Sequence, residues 1–123
     1  MIEYLDPADV EDLIVSVGFH VRERNLLLSA LAAPLPVFGE EVYPGLHAKA
    51  AALMIAINRD HPLSDGNKRL SWLVAKAFLA LNGGDLRAGD VESADRFVRA
   101  VAAGELDFGQ VVDWITNRTS RLI

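Results

Sequence analysis

The chain has 123 residues, about half of them hydrophobic and none of them cysteine. This length suits one domain with one core, and the lack of cysteine excludes disulfides and zinc–thiolate sites. Seventeen acidic and 12 basic residues give a net charge of −5, which argues against a general nucleic-acid binder because such a protein needs a basic face. The longest apolar run, residues 50–57, is too short to span a membrane, and the first residues show no signal-peptide pattern. We therefore expect a cytoplasmic protein without membrane association.

Helical periodicity dominates the first third of the chain. Asp6 and Pro7 predict a helix start, because a side-chain acceptor precedes a proline in the first turn. Gly18 is the predicted end of this helix. A second short helix is predicted over residues 25–33, ended by the proline that follows. Residues 35–43 are predicted to form an ordered loop or a short hairpin.

Two long helices are predicted on either side of a polar loop in the middle of the chain. Pro44 opens the third helix, which is rich in alanine and therefore allows neighbouring helices to approach closely. The polar loop follows at residues 60–66, and the fourth helix is predicted over residues 67–81. The buried face of the fourth helix is expected to contain Leu70, Leu73, Val74, Ala77, Phe78 and Leu81.

Capping aspartates predict the starts of the last two helices. Asp90 precedes a fifth helix that ends at Gly104, with Val91 expected to point inward, and Asp107 precedes a sixth. The fold class that follows is all-α: a compact six-helix domain covering residues 1–123. The third helix, the polar loop and the fourth helix form its centre.

The polar loop concentrates chemistry at the start of a helix. It reads H-P-L-S-D-G-N-K-R from His61 to Arg69. The backbone N–H groups of a helix N-terminus attract anions, and Gly66 allows a ligand to approach the main chain closely. Cations at Lys68 and Arg69 oppose the helix dipole, which is unfavourable unless a bound anion completes the charge balance.

Two further side chains of this loop favour a metal-bound polyphosphate beside a hydroxyl nucleophile. Asp65 would repel phosphate unless a divalent cation such as Mg²⁺ lay between them. A neutral imidazole at His61 could accept a proton from an incoming hydroxyl. Each residue by itself is typical of turns and solvated surfaces. Their joint occurrence within nine residues, before an amphipathic helix, favours a functional site.

The loop resembles the signature of the Doc (death-on-curing) toxins of the Fic/Doc superfamily, written H-x-F-x-[DN]-[AG]-N-K-R. Residues 21–34 resemble the family's V-R-D-x-G-L-L-x-S-A-L-x-x-P segment, and residues 38–43 resemble its flap. Leu63 departs from the pattern, because the family has a phenylalanine whose ring anchors the loop in the core. With leucine there we expect a looser loop, and a protein that binds nucleotide or a partner without turnover stays an alternative.

The resemblance implies a transferase that modifies a hydroxyl of a target protein with a nucleotide. Carried over by position, His61 would be the general base and Asp65 would hold Mg²⁺ against the phosphates of ATP or another nucleoside triphosphate. The implied phosphate-binding residues are Gly66, Asn67, Lys68 and Arg69.

Two positions distinguish the branches of the superfamily. Typical Fic adenylylating enzymes have glycine at the position of Lys68 and a second arginine at the position of Trp72. The lysine resembles Doc, which implies a protein kinase that transfers the γ-phosphoryl group to a serine or threonine, with translation elongation factor Tu as the target class. Adenylyl transfer is the alternative. A metal-dependent phosphohydrolase is a third, for which the loop offers only the carboxylates of Asp60 and Asp65.

Self-inhibition of the kind found in many Fic proteins is not expected. Their inhibitory motif, [ST]-x-x-x-E-[GN], is absent, because no serine or threonine is followed by glutamate four residues later. The resemblance implies restraint in trans by a small antitoxin of the Phd type, whose C-terminal segment would fold on binding. We expect the early helices to be its docking surface.

Overall fold

The computed structural model describes residues 1–122 and contains, within that range, six helices and one small sheet. The mostly helical architecture confirms the predicted fold class, and none of these helices is long and apolar enough to cross a membrane. The helices are α1 (Pro7–Ser16), α2 (Arg24–Leu31), α3 (Leu46–Asp60), α4 (Asn67–Leu81), α5 (Val91–Ala102) and α6 (Phe108–Asn117). The strands are β1 (Gly84–Leu86) and β2 (Thr119–Arg121), which pair antiparallel.

Capping aspartates confirm three of the predicted helix starts. The side chains of Asp6 and Asp90 accept hydrogen bonds from the backbone of their first turns at 2.9 and 2.6 Å. Asp107 and Gln110 form a capping box, in which each side chain accepts a hydrogen bond from the other residue's backbone N–H. These bonds satisfy N–H groups that have no partner inside the helix.

The limits of α2 and α3 differ from the prediction. The third helix begins at Leu46 rather than at Pro44, because Gly45 adopts φ +96° and stands outside the helix as its N-cap. The second helix ends at Leu31, two residues before the predicted end. Both differences lie at helix ends, where local sequence patterns are least decisive.

The predicted burial of Leu81 and Val91 is wrong. Leu81 is 44% exposed and Val91 is 84% exposed. The buried positions of α4 advance in steps of four through residues 70, 74 and 78, so the next residue in line is Asn82 rather than Leu81. Val91 is the first residue of α5, before that helix packs against the core.

α3 is the central helix of the core. Nine of its 15 residues are buried, more than on any neighbouring helix, and four of these are alanines. α4 packs along α3, with α2, α5 and α6 around them. Small side chains allow these helix axes to approach closely. The loop between α3 and α4 is therefore held at the end of the most buried helix pair.

A buried cation joins α3 to the segment before it. Lys49 is 1% exposed, and its ammonium group donates to the carbonyl of Pro34 at 3.2 Å and pairs with the carboxylate of Glu41. The ring of Tyr4 lies 5.8 Å from the ammonium nitrogen. Burial lowers the pKa of Lys49, but Glu41 and Tyr4 more than offset this effect, so the pKa is raised.

The predicted hairpin over residues 35–43 contains a tight turn. The backbone N–H groups of Val37 and Glu40 each donate to the other's carbonyl, at 2.9 and 3.0 Å. Phe38, between them, adopts φ +51° and is fully exposed.

At the end of α4 that lies away from the polar loop, hydrogen bonds join distant parts of the chain. The side chain of Asn82 accepts a hydrogen bond from the backbone of Glu3 and donates one back, both at 2.8 Å. The backbone N–H of Leu122 donates to the carbonyl of Gly83 at 2.9 Å. Because a 15-residue helix is roughly 22 Å long, these ties stand well away from the loop.

Candidate active site

His61 ends α3 in a strained backbone conformation. It adopts φ +49° and ψ +60°, the left-handed region, which costs a residue other than glycine roughly 1–2 kcal/mol. The guanidinium of Arg22 donates to the carbonyl of His61 at 2.9 and 3.1 Å and to the carbonyl of Asp60 at 3.4 Å. Arg22 therefore stabilises the turn that presents the imidazole. The sequence pattern showed Arg22 only as part of a family resemblance, since nothing in its spacing reveals this contact.

One edge of the loop is bonded to the segment before α2. The backbone N–H of Arg22 donates to the carbonyl of Pro62 at 2.7 Å, and that of Ser64 donates to the carbonyl of His20 at 3.1 Å. These bonds form an isolated antiparallel bridge between Val21 and Leu63.

The other edge of the loop is bonded to α4. The side-chain amide of Asn67 accepts from the backbone N–H of Leu63 at 2.9 Å and donates to its carbonyl at 3.1 Å. The side chain of Leu63 is 1% exposed and belongs to the core. The leucine thus fills its place in the core, and the main-chain bonds on both edges do not depend on the ring that the family pattern has there.

Gly66 is required for two separate reasons. Its φ is +90°, a conformation that side-chain-bearing residues rarely adopt. A Cβ atom added there would lie 2.6 Å from the ring of Phe19. The N–H of Gly66 donates to Oδ1 of Asp65 at 2.9 Å, so the turn also orients the carboxylate.

The start of α4 exposes unpartnered donors. Within residues 1–122 nothing accepts a hydrogen bond from the backbone N–H groups of Asn67, Lys68 and Arg69, and the first bond inside the helix is donated by Leu70. The side chains of Lys68 and Arg69 are exposed and also lack a partner in this range. The side chain of Asn67 is bound to Leu63. Its main-chain N–H is therefore the group that remains for the predicted phosphate contact. Such a helix start attracts a polyanion.

A cleft of about 870 Å³ lies between the start of α4 and α5. This volume is within the range of roughly 300–1,000 Å³ that is usual for small-molecule sites. The cleft wall on α5 was not identified from the sequence, because these helices pack together only in the tertiary fold. The cleft brings together every predicted site residue: His61, Asp65, Gly66, Asn67, Lys68 and Arg69.

An aromatic cluster supports the cleft wall. Trp72 is half-buried, lines the cleft and meets the ring of Trp114 edge-on, with centroids 6.0 Å apart. Trp114 stacks on Phe97 of α5 at 3.8 Å, and the guanidinium of Arg118 lies 4.0 Å from the Trp114 ring centroid. Aromatic and cation–π contacts of this kind add to the stability from burial alone. The cluster therefore joins α4, α5 and α6 and fixes the position of the wall.

The carboxylates of the cleft suit a metal ion that arrives with phosphate. Across residues 1–122 no group of three acidic, histidine or cysteine residues forms a ready metal site. Asp65 uses one oxygen for the Gly66 N–H, and its other oxygen has no partner within the same residues. Mg²⁺ commonly binds one or two carboxylates together with substrate phosphates and waters, so Asp65 beside a phosphate site fits this ion.

Asp60, the second carboxylate of the phosphohydrolase alternative, does not line the cleft. Its carboxylate is bound by Arg59, with Nε 2.8 Å from Oδ1. This hydrogen bond raises the pKa of Arg59. Of the two carboxylates that the loop offers to this alternative, only that of Asp65 therefore lines the cleft.

The fold and the cleft define a mostly helical protein with an anion-attracting helix start beside a histidine. The model of the Fic/DOC family matches residues 4–79, more than half of the chain. The chain is also 40% identical, over 116 residues, to a curated protein of Mycolicibacterium smegmatis named Toxin Doc, an alignment that covers 90% of this chain and 89% of that protein. This chain belongs to the Fic/DOC family, which confirms the resemblance that its loop and its residues 21–34 predicted.

Proposed function

We propose that this chain is a Doc-type toxin of a toxin–antitoxin system and acts as a protein kinase. It would transfer the γ-phosphoryl group of ATP to a serine or threonine hydroxyl of a target protein. One observation carries the proposal: His61 shares a single cleft with the unpartnered N–H groups at the start of α4 and with the side chains of Lys68 and Arg69. A base and a cationic phosphate site in the same cleft are what phosphoryl transfer to a hydroxyl requires.

Each step of the transfer has a residue to perform it. The hydroxyl oxygen of the target attacks the γ-phosphorus while the imidazole of His61 takes the hydroxyl proton. The new P–O bond forms as the bond to the bridging oxygen breaks, and ADP leaves with that electron pair. Lys68, Arg69 and the N–H groups of α4 stabilise the phosphate charge. Asp65 would hold Mg²⁺, which supplies further neutralisation when bound.

Two side chains favour phosphoryl transfer over adenylyl transfer. Lys68 occupies space beside the helix start that a glycine would leave open to the nucleotide. Trp72, in the cleft wall, is apolar and packed on Trp114, so it offers no charge to a phosphate. The resemblance implies that adenylylating enzymes bind their nucleotide with a glycine and an arginine at these two positions. This chain has Lys68 and Trp72 there instead.

The proposal extends to the target and to the partner of this chain. The relative from Mycolicibacterium smegmatis is named Toxin Doc, and we propose elongation factor Tu as the protein target, with inhibition of translation as the result. A Phd-like antitoxin would restrain the toxin in trans. The absence of the [ST]-x-x-x-E-[GN] motif from this chain supports external restraint.

Radioactive labelling distinguishes the alternatives. Purified elongation factor Tu, and separately a cell lysate, would be incubated with the protein, Mg²⁺ and either γ-³²P-ATP or α-³²P-ATP. We expect label on the target from γ-³²P-ATP alone, and we expect His61→Ala to remove it.

His20→Ala is the matched control. His20 is exposed, and it supports the loop through its carbonyl, which alanine also has. This variant should label normally. Label from α-³²P-ATP would instead establish adenylyl transfer. Absence of label from both nucleotides, together with measurable ATP binding, would favour the protein that binds without turnover.

A further inference from the structure

α5 contributes a cation to the cleft that lies outside the loop motif. Arg99 lines the main cleft and also a smaller adjoining cavity of about 520 Å³. His61 and Lys68 line the same two cavities. Arg99 is therefore placed at the same ligand space as the loop residues, but it comes from a different helix.

The guanidinium of Arg99 is only partly engaged. Its Nε donates to Oδ2 of Asp95, one turn earlier on α5, at 2.8 Å. Both side chains are more than half exposed, and exposed ion pairs of this kind contribute little to stability. Within residues 1–122 nothing accepts a hydrogen bond from its two terminal nitrogens. These nitrogens form the planar fork with which arginine binds two phosphate oxygens at once.

The surroundings of Arg99 provide both space and positive charge. Three alanines, Ala100, Ala102 and Ala103, line the smaller cavity beside it, and their short side chains leave room for a ligand. The chain as a whole has 12 basic and 17 acidic residues, yet cations outnumber carboxylates around these two cavities. The charged residues there are Lys68, Arg69, Arg96 and Arg99, with Asp65, Asp95 and Glu105.

We propose that Arg99 binds the polyphosphate of the nucleotide from the α5 side of the cleft, opposite Lys68 and Arg69. Asp95 accepts a hydrogen bond from the guanidinium, and phosphate oxygens would replace or join Asp95 when nucleotide binds. This inference rests on the proposed nucleotide-dependent function. It adds a phosphate ligand that the loop motif does not contain.

Calorimetric titration with ATP, ADP and AMP, each with Mg²⁺, tests the assignment. A lost hydrogen-bonded contact to a charged group typically corresponds to an affinity loss of roughly 10- to 100-fold, and we expect this loss for ATP with Arg99→Ala. The loss should be smaller for ADP and smallest for AMP, because the contact is to the polyphosphate. Arg99→Lys should recover part of the ATP affinity, since lysine keeps the charge without the fork.

Two variants serve as references. Arg87→Ala removes an exposed arginine that is likewise paired with an aspartate, at 2.7 Å from Asp85, but lies outside both cavities; it should leave all three dissociation constants unchanged. Asp95→Asn releases the Arg99 guanidinium and should tighten ATP binding, by up to about 5-fold if the exposed pair has the usual strength.

The outcomes distinguish a failure of the role of Arg99 from a failure of the proposed function. One result would overturn the role of Arg99 and leave the proposed function standing. In that result Arg99→Ala has an ATP dissociation constant within a factor of about two of wild type, while Lys68→Ala loses ATP affinity. Equal losses for ATP, ADP and AMP would overturn it as well, because they would indicate a change of cleft shape. A wild-type protein that binds none of the three would overturn both.

Discussion

Arg22 and Asn67 hold the polar loop through its backbone groups. Arg22 binds the carbonyls that end α3, and Asn67 binds both backbone groups of Leu63. The side chains that would perform the chemistry, His61 and Lys68, are exposed and have no such ties within residues 1–122. The loop therefore separates the residues that set its shape from the residues that meet a ligand.

Gly66→Ala should destabilise the protein more than a glycine replacement elsewhere. Left-handed strain alone costs roughly 1–3 kcal/mol, and the new Cβ would also displace the ring of Phe19, which lies 2.6 Å from its position. Gly89 has a similar φ of +88° with open space around it, so Gly89→Ala measures the strain by itself. Urea denaturation of both variants gives the two free energies of unfolding. Equal losses would mean that Phe19 moves aside without cost.

Asn67→Asp should loosen the loop. The carboxylate keeps the acceptor for the Leu63 N–H but loses the donor to the Leu63 carbonyl and faces that oxygen with negative charge. Leaving such a group without its partner costs roughly 1–3 kcal/mol. Urea denaturation checks the loss. Asn25→Asp, an equal charge change on the exposed surface of α2, should stay within about 0.5 kcal/mol of wild type, and a similar loss in both variants would refute the role of Asn67.

At the scale of the secondary-structure elements, the helix starts are governed by local chemistry. Asp90 begins α5, the wall of the cleft, by accepting a hydrogen bond from the N–H of Ser93 at 2.6 Å. This bond lowers the pKa of Asp90 below its ordinary value of 3.8. A carboxyl whose pKa is lower in the folded state stabilises that state above its ordinary pKa, and the effect is lost as the pH falls through the folded-state value.

The cap therefore predicts a specific pH dependence. Asp90→Ala should be less stable than wild type at neutral pH, and the difference should shrink as the pH falls below 3.8. Asp90→Asn keeps an uncharged acceptor, so its advantage over Asp90→Ala should persist in acid. Thermal denaturation between neutral and acidic pH measures both differences. A wild-type advantage over alanine that is the same at every pH would contradict the assignment of the cap to the ionised carboxylate.

The same locality explains which elements could be predicted from the sequence. The starts of α1, α5 and α6 were predictable because an aspartate and its first turn lie within a few residues. The pairing of β1 with β2 was not, since Gly84 and Arg121 are separated along the chain by α5 and α6. For the site, the motif identified the loop residues, whereas the α5 wall and the contacts of Arg22 depend on tertiary packing. The burial of Lys49 ran against the usual exposure of lysine.

At the scale of the whole molecule, Lys49 joins three separate parts of the chain. Its ammonium group binds the carbonyl that follows α2 and the carboxylate of Glu41, and it lies near the ring of Tyr4. Removing one partner of a buried ion pair costs roughly 3–5 kcal/mol. The cost here should be smaller, because Glu41 is 48% exposed and can regain water.

Lys49→Met keeps the volume of the side chain and removes its charge. We expect a lower free energy of unfolding and faster proteolytic cleavage within residues 35–43, which this ion pair ties to α3. Glu41→Gln keeps a hydrogen-bond acceptor and should have a smaller effect on both measurements. Unchanged cleavage in Lys49→Met would show that the tight turn at Val37–Glu40 and its neighbours hold this segment without the lysine.

The two sides of the cleft come from separate stretches of the chain, the loop and the start of α4 on one side and α5 on the other. Under the proposed function, substitutions at the α5 positions that line the cleft would alter ligand preference while the polar loop keeps its residues and shape. In a directed-evolution experiment, a library confined to the α5 positions that line the cleft would explore specificity separately from chemistry. Sequence changes confined to α5 would then change the ligand that is bound while the residues of the polar loop stay the same.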